Sequence, residues 1–213
     1  IRIRNVTNIF VPRELSFALV PVSEDRTFGT PQEFECERPM SVAVGDINGD
    51  GHPDLAVASR DFSSGPSESS WVYWGGPNEY DQSNRTRLSS LRACDIEVAD
   101  LDGDGYDDIV LCQNRTLPDY TTESVIYRGG RDGVTAEATR LTTEDARRVF
   151  LSTKPENDSR ELVFVNQHSR HANQAVPSYV YFGDADGYSP ERRQELPANH
   201  PVGSITPDLN DDG

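Results

Sequence analysis

No run of about eighteen apolar residues occurs in the chain, so no segment is expected to cross a bilayer as a helix. No amphipathic pattern runs longer than two helical turns, which leaves little room for an α-helical fold. Basic patches are missing as well. The chain has 20 Lys and Arg against 36 Asp and Glu, a formal net charge of −16, and nothing able to meet a row of phosphates. The balance argues against a nucleic-acid partner. No G-x-S-x-G or comparable nucleophile motif is present. Cysteine is scarce and odd in number, and Cys36, Cys94 and Cys112 do not make an even disulfide framework. Cys94 and Cys112 flank the second motif described below. A hairpin register would set them diagonally on one face, which permits a disulfide without implying one; buried core thiols fit as well. The chain starts at Ile1 with neither an initiating Met nor an apolar leader, as expected of a processed or truncated chain.

What is present is an acidic loop that recurs. Residues 46–54 read DINGDGHPD and residues 100–108 read DLDGDGYDD; residues 208–213, DLNDDG, begin the loop again. The starts are separated by 54 and by 108 residues, so the chain is a repeat protein. Each complete loop is D-x-[DN]-x-D-G-x-x-D. Oxygens at positions 1, 3, 5 and 9 can turn inward, position 7 adds a backbone carbonyl, and Gly51 and Gly105 at position 6 allow the sharp bend. An all-oxygen cage suits a hard cation, and Ca²⁺ accepts its irregular geometry better than Mg²⁺ does. An EF-hand would need a bidentate Glu at position 12, where this chain has the apolar Val57 and Leu111. Asp, Asn and Gly are also ordinary turn formers. Two complete copies and a partial third, in phase with other features, favour the metal.

A second marker shares the period. WVYWGG (71–76), VIYRGG (125–130) and YVYFGD (179–184) centre on Tyr73, Tyr127 and Tyr181, each 54 residues from the next, and each reads as a strand ending in a turn. Alternating runs at 40–44 and 96–99 precede the loops, and apolar runs at 55–58 and 109–112 follow them, so each loop is the turn of a hairpin. A shorter fourth strand lies at 85–88 and 138–141. Four strands in about 54 residues have the size of one propeller blade. In the third repeat, residues 153–161 (TKPENDSRE) stand at the loop position. Pro155 offers no side-chain oxygen and the Gly is missing, so this blade is expected to keep its strands, 146–151 and 162–165, without a metal. Residues 17–20 and the Phe28-Gly29-Thr30-Pro31 turn resemble the second half of an earlier blade, and residues 1–15 stay open.

The combination of VAVGDINGDGHPDLAVAS, VADLDGDGYDDIVL and Y-[FW]-G strands resembles the FG-GAP/VCBS repeat family, which includes the calcium-binding blades of integrin α-subunit propellers and many secreted bacterial propellers. The similarity covers residues 16–213. It implies an all-β fold, a β-propeller of four-stranded antiparallel blades in one partial domain. The blades would span 1–39 (partial), 40–93, 94–146 and 147–200, with the next begun at 201–213. These three and a half repeats would belong to a longer propeller, of up to about seven blades, completed by the same or another chain. The resemblance also implies the ligands. Asp46, Asn48, Asp50, the His52 carbonyl and Asp54 would hold one Ca²⁺. Asp100, Asp102, Asp104, the Tyr106 carbonyl and Asp108 would hold another. Asp208, Asn210 and Asp212 match the start of a third loop whose ninth position is absent.

Millimolar extracellular calcium saturates weak sites that cytosolic calcium leaves empty, so a secreted or cell-surface protein is expected. Sequons at Asn5, Asn84, Asn114 and Asn157 would be available in a eukaryotic host. On the disc face opposite the acidic loops, the connections 59–70, 113–124 and 166–178 are long, polar and varied, as binding loops on a rigid scaffold are. Arg60, Asn114, Tyr120, His168, Arg170 and His171 are the side chains there that suit a ligand. A recognition or adhesion module for glycan or protein is the expected function. The alternatives are a polysaccharide lyase or hydrolase built on His168, Tyr120 and Arg170, and an architectural segment of a large surface protein.

Overall fold

Strands whose residues alternate in and out give sheets, and sheets with two apolar faces must be covered on both sides. The computed structural model describes residues 1–3, 6–60, 67–78, 80–116, 120–154, 159–168, 176–184, 187–198 and 201. They form four consecutive four-stranded sheets, with no helix among the described residues. The first is β1 (Arg2–Ile3), β2 (Val6–Pro12), β3 (Ser16–Val22) and β4 (Gln32–Glu35). The second is β5 (Pro39–Gly45), β6 (Asp54–Ser59), β7 (Ser67–Tyr73) and β8 (Arg85–Ser90). The third is β9 (Ala93–Ala99), β10 (Asp108–Gln113), β11 (Thr121–Tyr127) and β12 (Ala138–Glu144). The fourth is β13 (Ala146–Lys154), β14 (Ser159–Asn166), β15 (Ser178–Phe182) and β16 (Arg193–Leu196). Neighbours in each sheet follow chain order and are antiparallel.

Each core lies between two successive sheets. In β6, Leu55 and Val57 pack with Phe17, Leu19 and Phe34 of the first sheet, while Ala56 and Ala58 pack toward Ile96, Ile109 and Leu111 of the third. Val110, Cys112 and Ile126 then meet Val149, Leu162, Phe164 and Tyr181. The second strand of a blade is covered on both faces, which is why every residue of β6 and of β10 is buried. The first strands lie side by side, β5 on β9 and β9 on β13, so they form the inner edge of the array.

The periodic tyrosines tie blade to blade. Each reaches from the third strand of its own blade to a backbone carbonyl in the fourth strand of the blade before. Tyr73 donates to the Glu35 carbonyl, Tyr127 to that of Ser89 at 2.7 Å, and Tyr181 to that of Thr142 at 2.5 Å. A second tie sits at the opposite edge, where one blade hands over to the next. Arg38, Arg92 and Asp145 hold left-handed backbone with φ of 47°, 50° and 45°. Their carbonyls accept the amides of Arg60, Asn114 and Gln167 at 3.1, 3.3 and 3.3 Å.

Three features differ from the sequence expectation. The half blade expected at the N-terminus is a four-stranded sheet, with β1 and β2 supplied by the residues that carried no motif. In the fourth sheet the β13–β14 ladder continues through Ser152↔Glu161, Thr153↔Arg160 and Lys154↔Ser159. Strand pairing thus occupies most of the segment read as a loop at 153–161. The fourth strands also run further than expected, to Ser90 and Glu144.

All three cysteines are free thiols buried in the cores, and Cys94 Sγ lies 3.9 Å from Cys112 Sγ. That is well beyond the ~2.05 Å of a disulfide. On β9, Asp95 accepts the Val149 amide at 3.1 Å. Burial, and then the Asp95 carboxylate, push neighbouring Glu97 up to about 7 from 4.5. Between those two values the folded chain holds a proton that the unfolded chain releases. This contribution to stability therefore falls as pH rises through the window and is lost above it. Glu97→Gln, which cannot ionise, is expected to melt above the parent at pH beyond about 7 and to match it below about pH 4.5. A constant difference across that range would contradict the assignment.

Candidate functional site

The acidic loops join the first strand of a blade to its second. Loop residues 46–54 link β5 to β6 and residues 100–108 link β9 to β10. In both, side-chain oxygens turn inward because the loop's own amides call them in. Asp46 accepts from the amides of Asp50 and Gly51 at 3.0 and 2.9 Å, Asn48 from Asp50 at 3.0 Å, and Asp50 from His52 at 2.8 Å. Asp100 accepts from Gly103 and Gly105 at 2.7 and 3.1 Å, Asp102 from Asp104 at 3.3 Å, and Asp104 from Tyr106 at 2.9 Å. Gly51 and Gly105 have φ of 81° and 91°, the backbone that position 6 requires. In the second loop Asp100, Asp102 and Asp104 each place a carboxylate oxygen within 4.8 Å of the others. Three such oxygens on a partly exposed turn are a donor set that fits a hard divalent cation. The first loop carries Asn48 where the second has Asp102.

The ninth position is built differently from the rest. Asp54 is fully buried, with one oxygen on the Ile47 amide at 3.0 Å and the other on the Gly75 amide at 2.7 Å. Asp108 repeats this with Leu101 at 3.2 Å and Gly129 at 2.9 Å. One carboxylate thus joins the turn to the residue just past the third strand. The approach is so close that a Cβ on Gly75 would lie 2.3 Å from the Pro53 carbonyl oxygen, and one on Gly129 would lie 2.2 Å from that of Asp107. This accounts for the glycines after Tyr73-Trp74 and Tyr127-Arg128. Burial pushes Asp54 up to about 6 against the pull of the two amides, and Asp50 and Asp46 add to the rise.

The two loops also touch each other. Asp107 takes the Asp46 amide on its carboxylate at 2.8 Å and donates its own amide to the Asp46 carbonyl at 3.1 Å. The Tyr106 ring lies against Gly49. Charge separates them. Arg128 Nη1 bridges Asp102 at 2.8 Å and Asp108 at 2.7 Å, and Arg160 Nη1 stands 3.9 Å from Asp100. In the first loop the position of Arg128 belongs to Trp74, whose Nε1 donates to Thr86 at 2.9 Å. Sequence reasoning passed over Asp107, Arg128 and Arg160. Arg128 was legible as the one charged residue inside the three Y-x-G segments.

At the opposite edge Arg60, Asn114, Tyr120 and His168 are described, and three of the four meet through Asp145. Arg60 Nη2 donates to Asn114 Oδ1 at 3.2 Å, Asn114 Nδ2 donates to Asp145 Oδ1 at 2.6 Å, and His168 Nδ1 lies 2.7 Å from Asp145 Oδ2. Tyr120 stacks under Arg115, its ring centre 4.5 Å from the guanidinium carbon. The Asn114 side chain is committed on both sides and 1% exposed, so its sequon is closed in the folded chain. Asp208, Asn210 and Asp212, and likewise Arg170 and His171, lie outside the described residues.

Successive four-stranded antiparallel sheets, stacked face to face and carrying an aspartate-rich turn between the first two strands of the second and third, define an all-β repeat chain of propeller-type blades. Within it, residues 39–83 match the family model of the FG-GAP repeat, a match that begins where β5 begins. No curated protein matches the chain. No helix among the described residues is long and apolar enough to cross a membrane.

Asp54→Ala orphans two amides at once, those of Ile47 and Gly75. It is expected to cost at least about 2 kcal/mol in urea unfolding with chelator present, at about 1–3 kcal/mol for each unsatisfied group. A loss under about 0.5 kcal/mol would show that water replaces the carboxylate.

Proposed function

We propose that the chain is an extracellular calcium-binding module of propeller blades that recognises a glycan or protein partner through the face opposite its acidic loops. Further blades would come from the same or another chain. The observation that carries the metal reading is the convergence of Asp100, Asp102 and Asp104, with a second loop of the same plan 54 residues earlier. Asp46, Asn48, Asp50 and the His52 carbonyl would hold one ion, and Asp100, Asp102, Asp104 and the Tyr106 carbonyl the other. Asp54 and Asp108, whose oxygens already accept backbone amides, would complete each set at the ninth position through their remaining lone pairs. Calcium would neutralise carboxylates that otherwise repel one another, and would stabilise the fold by binding it in preference to the unfolded chain. Its role would be structural, which leaves the opposite edge for recognition.

The experiment is a calcium titration by calorimetry combined with thermal melts. Chelation is expected to lower the melting temperature, and Asp104→Ala to remove one of two binding steps. Arg128→Ala is expected to tighten the second loop for calcium, because the guanidinium competes for Asp102 and Asp108. A melting temperature indifferent to chelator would overturn the metal reading.

The His168–Asp145 pair supports a second reading, a polysaccharide lyase or hydrolase. A buried carboxylate 2.7 Å from an imidazole is the arrangement that orients a general base. It predicts slow turnover of an acidic polysaccharide that His168→Ala abolishes without changing the melting temperature. Equal product from the parent and the variant would exclude it.

A further inference from the structure

The chain carries a net charge of −16, yet cations gather at the junction of its third and fourth sheets. Asp145 is fully buried. Its Oδ2 faces Arg115 Nη1 at 2.8 Å, Arg147 Nη2 at 3.4 Å and His168 Nδ1 at 2.7 Å. Its Oδ1 accepts from Asn114 Nδ2 at 2.6 Å, and the far end of that amide accepts from Arg60 at 3.2 Å. Through these bonds one carboxylate answers three guanidinium groups and an imidazole. The Nε atoms of Arg60 and Arg147 are buried and have no hydrogen-bond partner among the described residues. Burial holds the Arg60 guanidinium below its ordinary proton affinity, and the charges of Arg147 and Arg92 lower it further. The side chains of Arg115 and Arg147 remain 23% and 24% exposed, so the cluster opens to solvent.

We propose that this cluster, Arg60, Arg115, Arg147 and His168 around Asp145, binds the carboxylate of an acidic glycan, a uronate-bearing chain. The proposal rests on the reading of this face as the recognition face. A guanidinium presents paired N–H donors in the geometry of a planar carboxylate, and a buried excess of them is relieved by an incoming anion. A dense polyphosphate fits poorly, because a protein of this net charge repels most strongly the ligand with the closest-spaced charges beyond the cluster. A uronate chain spaces its carboxylates between neutral hydroxyls. Beside the donors, Tyr120 is partly exposed, and the part of its ring that the Arg115 guanidinium leaves open suits the C–H face of a sugar.

The test is calorimetric binding of oligogalacturonate to the full chain with calcium present. A neutral galactose oligomer and a poly-glutamate peptide serve as comparison ligands. The parent is expected to bind oligogalacturonate with an affinity that falls as salt is raised, and not to bind the neutral oligomer. Arg60→Gln and Arg147→Gln should each weaken binding by about tenfold or more, the effect of losing one charge-assisted bond. Arg87→Gln, on an exposed position of β8, should leave it unchanged. Among the described residues Arg60 hydrogen-bonds to the cluster through Asn114, so its variant keeps the Asp145 ion pairs, and a melt of each variant confirms the fold. No binding of oligogalacturonate, equal binding by all variants, or preference for the peptide would overturn the proposal. If the neutral oligomer binds every variant equally, the recognition reading stands and this assignment falls. Loss of the chelator effect would touch the calcium reading alone.

Discussion

The second and third blades depend on a carboxylate that is out of the solvent's reach. Asp54 and Asp108 sit under their loops, and each gives one oxygen to the start of the turn and the other to the amide just beyond the third strand. That single group closes the first hairpin and fixes where the third strand must stop. It also explains the glycine there, since no side chain fits against the loop carbonyl. The cost is a buried charge, visible in the rise of Asp54 to about 6. A cation at the mouth of the loop would offset that cost electrostatically. Where Arg128 does so in the second loop, the same carboxylate gains a protein-borne partner at 2.7 Å. The two loops therefore solve one electrostatic problem with different amounts of help from the chain.

From this anchor the rest is stacking. The two inner sheets bury both faces against their neighbours and the two outer sheets one face each, the tyrosines at 73, 127 and 181 fasten one edge, and left-handed corners at 38, 92 and 145 fasten the other. Contacts run between adjacent blades, so the stability of such an array is close to a sum of blade and interface terms. At the corners the backbone device is constant while the side chain changes from Arg to Arg to Asp. Asp145 turns a structural corner into the centre of a charged cluster, and so the same repeat yields a scaffold in one place and a candidate site in another.

Much of this was legible in the sequence. The loop at 46–54 and 100–108 announced its period, its glycines and its inward-turning oxygens, and the tyrosines confirmed the phase. The first sheet was half hidden, because β1 has two residues and no acidic loop precedes β2. At residues 153–161 the period predicts a loop. Without the Asp and Gly that force a coil, strand pairing extends through Lys154↔Ser159. The Asp145 cluster is legible only in part: the sequence offers Arg60, Asn114 and His168 as loop residues of one face, but not Asp145, Arg115 and Arg147, because the members come from different repeats and share no motif. Arg60 and Asn114 are equivalent positions of successive blades that bond to each other.

The central claim is that calcium in the loops and the buried aspartate beneath them act as one structural unit. Amide hydrogen exchange at Ile47, Gly75, Leu101 and Gly129, measured with calcium and with chelator, tests it most directly. These are the amides that Asp54 and Asp108 hold. The account predicts marked slowing of exchange at all four on calcium binding, larger at Ile47 and Gly75, where no arginine supports the carboxylate. Exchange at these four amides that is the same in both conditions would contradict it.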